Sequence, residues 1–197
     1  MTYLVSTPGG MAVVVDPVEA AAMPVAAELD RRGTAQVMLL LTHEHFDHIS
    51  GVNALRKRPG VRLACSKECA LRIADPKLNF SRYLVGADYR CAPPDETFER
   101  LGGALEFGGL SMTFISTPGH SPGSACIAAD GMLFTGDTLI RDTRTVTKLP
   151  GGNRQALASS IESVRRRFGP DTTVYPGHGG PFRLGETDVA VALKGAS

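Results

Sequence analysis

Residues 37–48, Val-Met-Leu-Leu-Leu-Thr-His-Glu-His-Phe-Asp-His, join an apolar run directly to three histidines and two carboxylates. An apolar run without alternation reads as a strand buried on both faces, which requires a covering layer on each side of its sheet. Side chains two residues apart on an extended backbone point the same way. His43 and His45 therefore share one side, and Glu44 and Phe46 alternate away. Asp47 continues the alternation, and His48 turns into the next helix. Neutral imidazoles and carboxylates are the donors that zinc and iron take.

The chain has five histidines, and the other two are placed alike. His120 follows the β-prone run Met112–Thr117, and His178 follows Thr172–Gly177. Asp137 follows a third such run, Gly131–Phe134. Each lies in a glycine-flanked loop at a strand end, where glycine permits a sharp turn and close approach to a ligand. Five unrelated surface or core histidines would not fall in this pattern. The pattern points to one metal site assembled from four strand ends.

The remaining sequence supplies layers. Residues 2–6 and 11–16 are β-prone on either side of Thr-Pro-Gly-Gly and read as a hairpin. Helices are expected over 18–33, with Pro24 marking the first turn and Gly33 the C-cap, and over 49–60. A strand at 61–66 and a short helix at 67–75 follow. Residues 75–103 lack a period and read as a long loop with a strand near Thr97–Arg100; long loops in compact proteins tend to carry function. Four short strands within 104–136 precede a helix over 153–169 with Asn153 as N-cap. A last strand at 172–177 and a short helix within 186–194 complete the chain. Strands and helices in this order fit two sheets covered by helices in one domain, residues 1–197.

Composition excludes several functions. A formal net charge of +1 offers no surface for nucleic acid. The basic run Arg165–Arg167 falls at a helix end, where cations complement the dipole. No stretch nears the roughly 18 apolar residues of a membrane span. The first residues lack the pattern of a signal peptide. Cys65, Cys69, Cys91 and Cys126 lack paired zinc spacing and read as free thiols. The expectation is a cytoplasmic protein acting on a small molecule, without nucleic acid or membrane partners.

The motifs Thr-His-Glu-His-Phe-Asp-His, Thr-Pro-Gly-His-Ser-Pro-Gly-Ser, Phe-Thr-Gly-Asp-Thr and Tyr-Pro-Gly-His-Gly-Gly, in that order, resemble those of the metallo-β-lactamase-fold hydrolases. The resemblance spans roughly residues 3–182. It implies an α/β fold, an αββα four-layer sandwich of two mixed sheets flanked by helices. It further implies that His43, His45 and His120 bind one metal ion, that Asp47, His48 and His178 bind a second, and that Asp137 bridges them. The implied cofactor is two zinc ions, with iron or a mixed pair as alternatives. Two such ions hold a shared water as hydroxide able to attack a carbonyl, and Asp47 is a candidate to hold or move its proton. Thr42, Ser121 and Thr138 are candidates to orient ligands.

Aspartate at position 137, where the best-known β-lactamase subgroup uses cysteine, is similar to glyoxalase II and its relatives. These hydrolyse thioesters. The chain lacks the length for the glutathione-holding helical domain and resembles the small members. Lys148 stands where such relatives carry an acidic residue, and could meet an anionic substrate. Asn79, Tyr83 and Tyr89 are the candidate polar contacts from the long loop. A lactone or ester hydrolase and an iron-dependent persulfide dioxygenase are the alternatives.

Overall fold

A computed structural model describes residues 1–99 and 103–194. The first half forms a five-stranded sheet. Strands β1 (Tyr3–Ser6) and β2 (Ala12–Val15) make the expected hairpin, and β3 (Val37–Leu40), β4 (Val61–Ser66) and β5 (Glu96–Phe98) continue in parallel in the order β1-β2-β3-β4-β5. The second sheet is formed by β6 (Gly103–Phe107), β7 (Leu110–Ser116), β8 (Ala125–Ala129), β9 (Met132–Gly136), β10 (Thr173–Pro176) and β11 (Phe182–Arg183). Its order is β11-β10-β9-β8-β7-β6, antiparallel except where β10 pairs with β9.

Alternation along the strands sorts the apolar residues into three buried layers, and three layers of core require four layers of structure. Val13, Val15, Met38, Leu40 and Ala64 face Met112, Phe114, Ile127 and Phe134 across the gap between the sheets. Their neighbours Val14, Val37, Leu39, Leu63 and Cys65 face outward. They are covered by Ala22, Val25 and Leu29 of α1 (Glu19–Arg31) and by α2 (Phe46–Ile49), α3 (Val52–Leu55) and α4 (Lys67–Arg72). On the far side, Cys126, Leu133 and Val174 meet Leu157, Ile161 and Val164 of α6 (Arg154–Arg167) and Ala192 of α7 (Val189–Ala192). The fold is the αββα sandwich. All four residues of β3 are buried because β3 is central and covered on both faces.

Several elements differ from their sequence expectation. Pro24 lies inside α1 instead of opening it. The apolar face Ala22, Val25 and Leu29 holds the turn despite the missing N–H. Of the helix expected over 49–60, only α3 forms beyond Ile49, where α2 ends, and turns follow Leu55. At Gly51 the backbone passes so close to Val18 that a Cβ would stand 2.6 Å from its carbonyl oxygen. The long loop holds a short helix, α5 (Ser81–Leu84), and β11 was not expected. The strand expected at 97–100 is β5; Arg100 lies outside the described residues. Asn153 caps α6 by accepting the Ala156 N–H at 2.9 Å. No described helix is long and apolar enough to cross a membrane.

All four cysteines are free and buried. Burial pushes the Cys126 thiol up to about 11 and Cys91 to about 12, and raises Cys69 well above its ordinary value. Thiolate is the reactive form. A thiol reagent at neutral pH is therefore expected to modify none of the four in the native protein and all four in denaturant. Fast modification of the native chain would show that this core opens.

Candidate metal centre

The site lies at one edge of the sandwich, where strands of both sheets end. His43 and His45 occupy the extended segment after β3, whereas Asp47 and His48 sit on α2. Asp47 thus joins a helical turn instead of extending the alternation, and α2 swings it away from His43 and His45 toward His178. His120 follows β7, Asp137 follows β9 and His178 follows β10.

Three groups of donor atoms result among the described residues, one of them Asp16, His43 and His48, in which Asp16 is turned to the outer side of His48; the other two face the cleft. One atom each from His43, His45 and His120 lie within 4.8 Å of one another, and so do one each from Asp47, His48 and His178. The first trio is buried; in the second, the side chains of His178 and Asp47 are 53% and 45% exposed. The site therefore has an enclosed end and an open end. Asp137 reaches both: its oxygens lie 3.4 Å from His48 Nε2, 3.4 Å from His178 Nε2 and 3.8 Å from His120 Nε2.

Hydrogen bonds behind the rings decide which nitrogen carries the proton. Asp16, buried at the end of β2, accepts from the Thr42 hydroxyl at 2.6 Å and from the Thr42 N–H at 2.7 Å. Having donated to Asp16, the Thr42 hydroxyl accepts from His43 Nδ1 at 3.1 Å. Asp16 also accepts from His48 Nδ1 at 2.9 Å. The Val146 carbonyl accepts from His120 Nδ1 at 2.8 Å. Each ring thus engages its outer nitrogen in a hydrogen bond and turns Nε2 inward, the nitrogen whose lone pair a metal takes once the ring is neutral.

The inner atoms fit a cation. His43 Nε2 and Asp137 Oδ1 are buried without a hydrogen-bond partner among the described residues, which is costly for polar atoms. His120 Nε2 faces His45 Nδ1 at 2.9 Å, so the two rings turn a nitrogen each to the same point. Burial, reinforced by His120, lowers His45 to about 3, and burial holds His43 well below its ordinary value. At the open end the carboxylates dominate. Asp137 and Asp47 raise His178 to about 9. Burial opposes protonation of His48, yet Asp137 and Asp16 raise it to about 10. Burial likewise opposes ionisation of Asp137, but His178 and His48 hold it well below the carboxylate range. Close backbone approach shapes the edge: a Cβ on Gly177 would stand 2.1 Å from Asp137 Oδ1.

The residues suggested around the ligands have separate fates. Thr42 orients His43 as described. Ser121 donates to the buried carboxylate of Glu44 at 2.9 Å. This ties the segment of His43 and His45 to the loop of His120. Thr138 reaches Thr117 at 3.0 Å instead. Asn79 does not face the cleft. It is fully buried, donating to the carbonyls of Ile73 and Tyr89 and accepting from the Ser81 N–H. Tyr89 also turns inward, donating to the Ile49 carbonyl at 2.9 Å. An apolar core lies beneath both, so their polar groups meet backbone instead of substrate. Tyr83 is exposed, its ring 6.2 Å from that of Phe80. Lys148 is exposed and lines a small cavity of about 110 Å³ with Arg144, Arg154 and Lys194.

Two residues of the site escaped the sequence reading. Asp16 follows Val-Val-Val at a strand end, the position shared by the ligands, and that was its available signal. It adopts the left-handed region at φ 49°, which a non-glycine residue tolerates where surroundings over-determine it. Phe80, also left-handed at φ 63°, sets its ring 4.9 Å from His45.

Two substitutions separate these roles. Asp16→Asn removes an acceptor for His48 and Thr42, and is expected to weaken metal binding about 10- to 100-fold, measured by competition with a chelator. Unchanged affinity would remove Asp16 from the site. Asn79→Ala removes three hydrogen bonds, leaving the Ile73 carbonyl its Cys91 N–H but taking the side-chain partner from the Tyr89 carbonyl and the Ser81 N–H, and is expected to cost about 2 kcal/mol in denaturant unfolding. A loss of substrate affinity at unchanged stability would return Asn79 to the cleft.

Comparison with known proteins agrees with the fold. The family model for the metallo-beta-lactamase superfamily matches residues 1–178. The probable metallo-hydrolase YqgX of Bacillus subtilis is 32% identical over 163 residues, covering 82% of this chain and 74% of YqgX. The hydroxyacylglutathione hydrolase GloC of Haemophilus influenzae is 27% identical over 151 residues, covering 76% of this chain and 71% of GloC. Among solved structures, the BLEG-1 B3 metallo-beta-lactamase superposes with a TM-score of 0.85 at 30% identity, covering 94% of this chain and 89% of BLEG-1. With the αββα fold and a histidine–aspartate cluster at the sandwich edge, the chain belongs to the metallo-beta-lactamase superfamily.

Proposed function

We propose that the protein is a dinuclear metal hydrolase that cleaves a thioester. One observation carries the reading. Two donor trios share the Asp137 carboxylate, and the outer nitrogens of His43, His48 and His120 are all held protonated by Thr42, Asp16 and Val146. His43, His45 and His120 would hold one ion, Asp47, His48 and His178 the other, and Asp137 both. Zinc suits this nitrogen and oxygen donor set, as does iron. Bound ions of this kind supply a nucleophilic water near neutral pH and polarise the carbonyl under attack.

The chain's own groups do the rest. Asp47 stands at the open end, where His178 helps keep its carboxylate ionised against the opposing effect of burial. It would take up a proton on the carboxylate oxygen not given to an ion as water attacks, and return it to the leaving sulfur. Asp16 and Val146 keep the histidine rings from turning as charge builds in the cleft. Kinship with GloC supports a thioester as substrate. Aspartate at position 137 is the second support, and a complete second trio favours two ions over a single iron.

The protein purified without added metal is expected to carry two ions per chain and to hydrolyse thioesters, with a β-lactam as control substrate. One iron per chain with persulfide-dependent oxygen uptake would overturn the reading, as would cleavage of lactones alone. His120→Ala is expected to lose one ion and more than about 100-fold in kcat/KM, since an unfilled first site removes the carbonyl's electrophilic partner. Near-normal turnover would refute its place in the centre.

A further inference from the structure

Nine large hydrophobic side chains are exposed among the described residues. Six of them, Leu78, Tyr83, Leu84, Val85, Val146 and Leu149, fall in two short segments. Scattered exposed apolar residues need no account, whereas a concentration of them marks a binding surface. These two segments flank the enclosed end of the histidine cluster. On one side Phe80 sets its ring 4.9 Å from His45, and Tyr83 lies 6.2 Å beyond Phe80. On the other, the Val146 backbone accepts from His120 while its side chain is 51% exposed. The rings of His45 and His120 are 4.6 Å apart between them.

The first lip is built, not incidental. Phe80 occupies the left-handed region at φ 63°, a strained conformation for an aromatic residue. Asn79 holds it there through three hydrogen bonds, and the Asn79 carbonyl accepts the Phe46 N–H at 2.8 Å, fastening the lip to the helix that carries Asp47 and His48. From Leu78 to Val85 the one charged side chain is Arg82, paired with Asp88 at 2.6 Å. On the second lip, Lys148 is the only charged side chain from Val146 to Leu149.

We propose that the two lips hold an apolar alkyl chain of the substrate, so that the enzyme takes straight-chain acyl groups of several carbons in preference to small polar ones. The proposal rests on the histidine cluster being the catalytic centre. The chain lies between Tyr83, Leu84 and Val85 on one side and Val146 and Leu149 on the other, with Phe80 as the floor beside His45. The continuity of both lips with the ligand histidines favours the substrate over a second copy of the chain as their occupant.

Binding and turnover are tested separately. Non-hydrolysable S-alkyl thioethers of N-acetylcysteamine, ethyl to octyl, are titrated into the metal-loaded protein by calorimetry. The matching S-acyl thioesters, acetyl to octanoyl, are followed kinetically. The dissociation constant is expected to fall roughly twofold to fourfold per methylene, and kcat/KM for any thioester cleaved is expected to rise in step. Leu84→Ser and Leu149→Ser, both at exposed positions, are expected to flatten the slope at unchanged metal content. A flat thioether series overturns the proposal even if thioesters are cleaved. So does a slope that survives both substitutions, or a change from dimer to monomer on substitution, which would make a second copy the occupant. A steep thioether series without thioester cleavage upholds the lips and overturns only the thioester reading.

Discussion

Asp16 holds the site together. Its carboxylate takes hydrogen bonds from the backbone and hydroxyl of Thr42 and from the ring of His48. Those contacts orient His43 through Thr42 and His48 directly, so one buried anion directs lone pairs toward both donor trios. Burying a carboxylate is costly unless its oxygens are satisfied, and here three donors satisfy them. The strain of its left-handed backbone is carried by the same contacts. Ligand geometry of this kind depends on groups that never touch the ion.

A second buried carboxylate links what Asp16 does not. Glu44 points away from the ligands and accepts from Ser121, which neighbours His120. The Arg72 guanidinium lies 3.8 Å away, and burial still pushes the Glu44 carboxyl up. Gly123 passes so close that a Cβ would stand 2.4 Å from Glu44 Oε2. The two segments that supply the enclosed trio are thereby locked to each other from behind. The enclosed end is rigid on this account. The open end has His178 and Asp47 half in solvent.

The long loop shows how function divides within one segment. Asn79 and Tyr89 attracted attention as polar residues in a loop, but their polar groups satisfy backbone: that of Ile73, Tyr89 and Ser81 for Asn79, and that of Ile49 for Tyr89. That is the ordinary fate of a polar side chain over an apolar core, because unpaired backbone groups there are expensive. Their work is indirect: Asn79 presents Phe80 to His45 and fastens the loop to α2. The exposed members, Tyr83 with Leu84 and Val85, remain to face what enters the cleft.

By itself the sequence determined the candidate ligands, their placement at strand ends and the layered fold. Alternation within a strand and glycine beside a histidine are local properties, and apolar β3 needs cover on both faces wherever it lies. The tertiary structure alone decided the roles of Asp16, Glu44, Asn79 and Phe80. Asp16 meets Thr42 because β2 lies parallel to β3 with Val15 opposite Leu40, and Glu44 meets Ser121 because β3 and β7 end at the same edge. Strand neighbours and register are set by packing between segments far apart in the chain. A residue whose role is to position another is therefore legible only once both are in place.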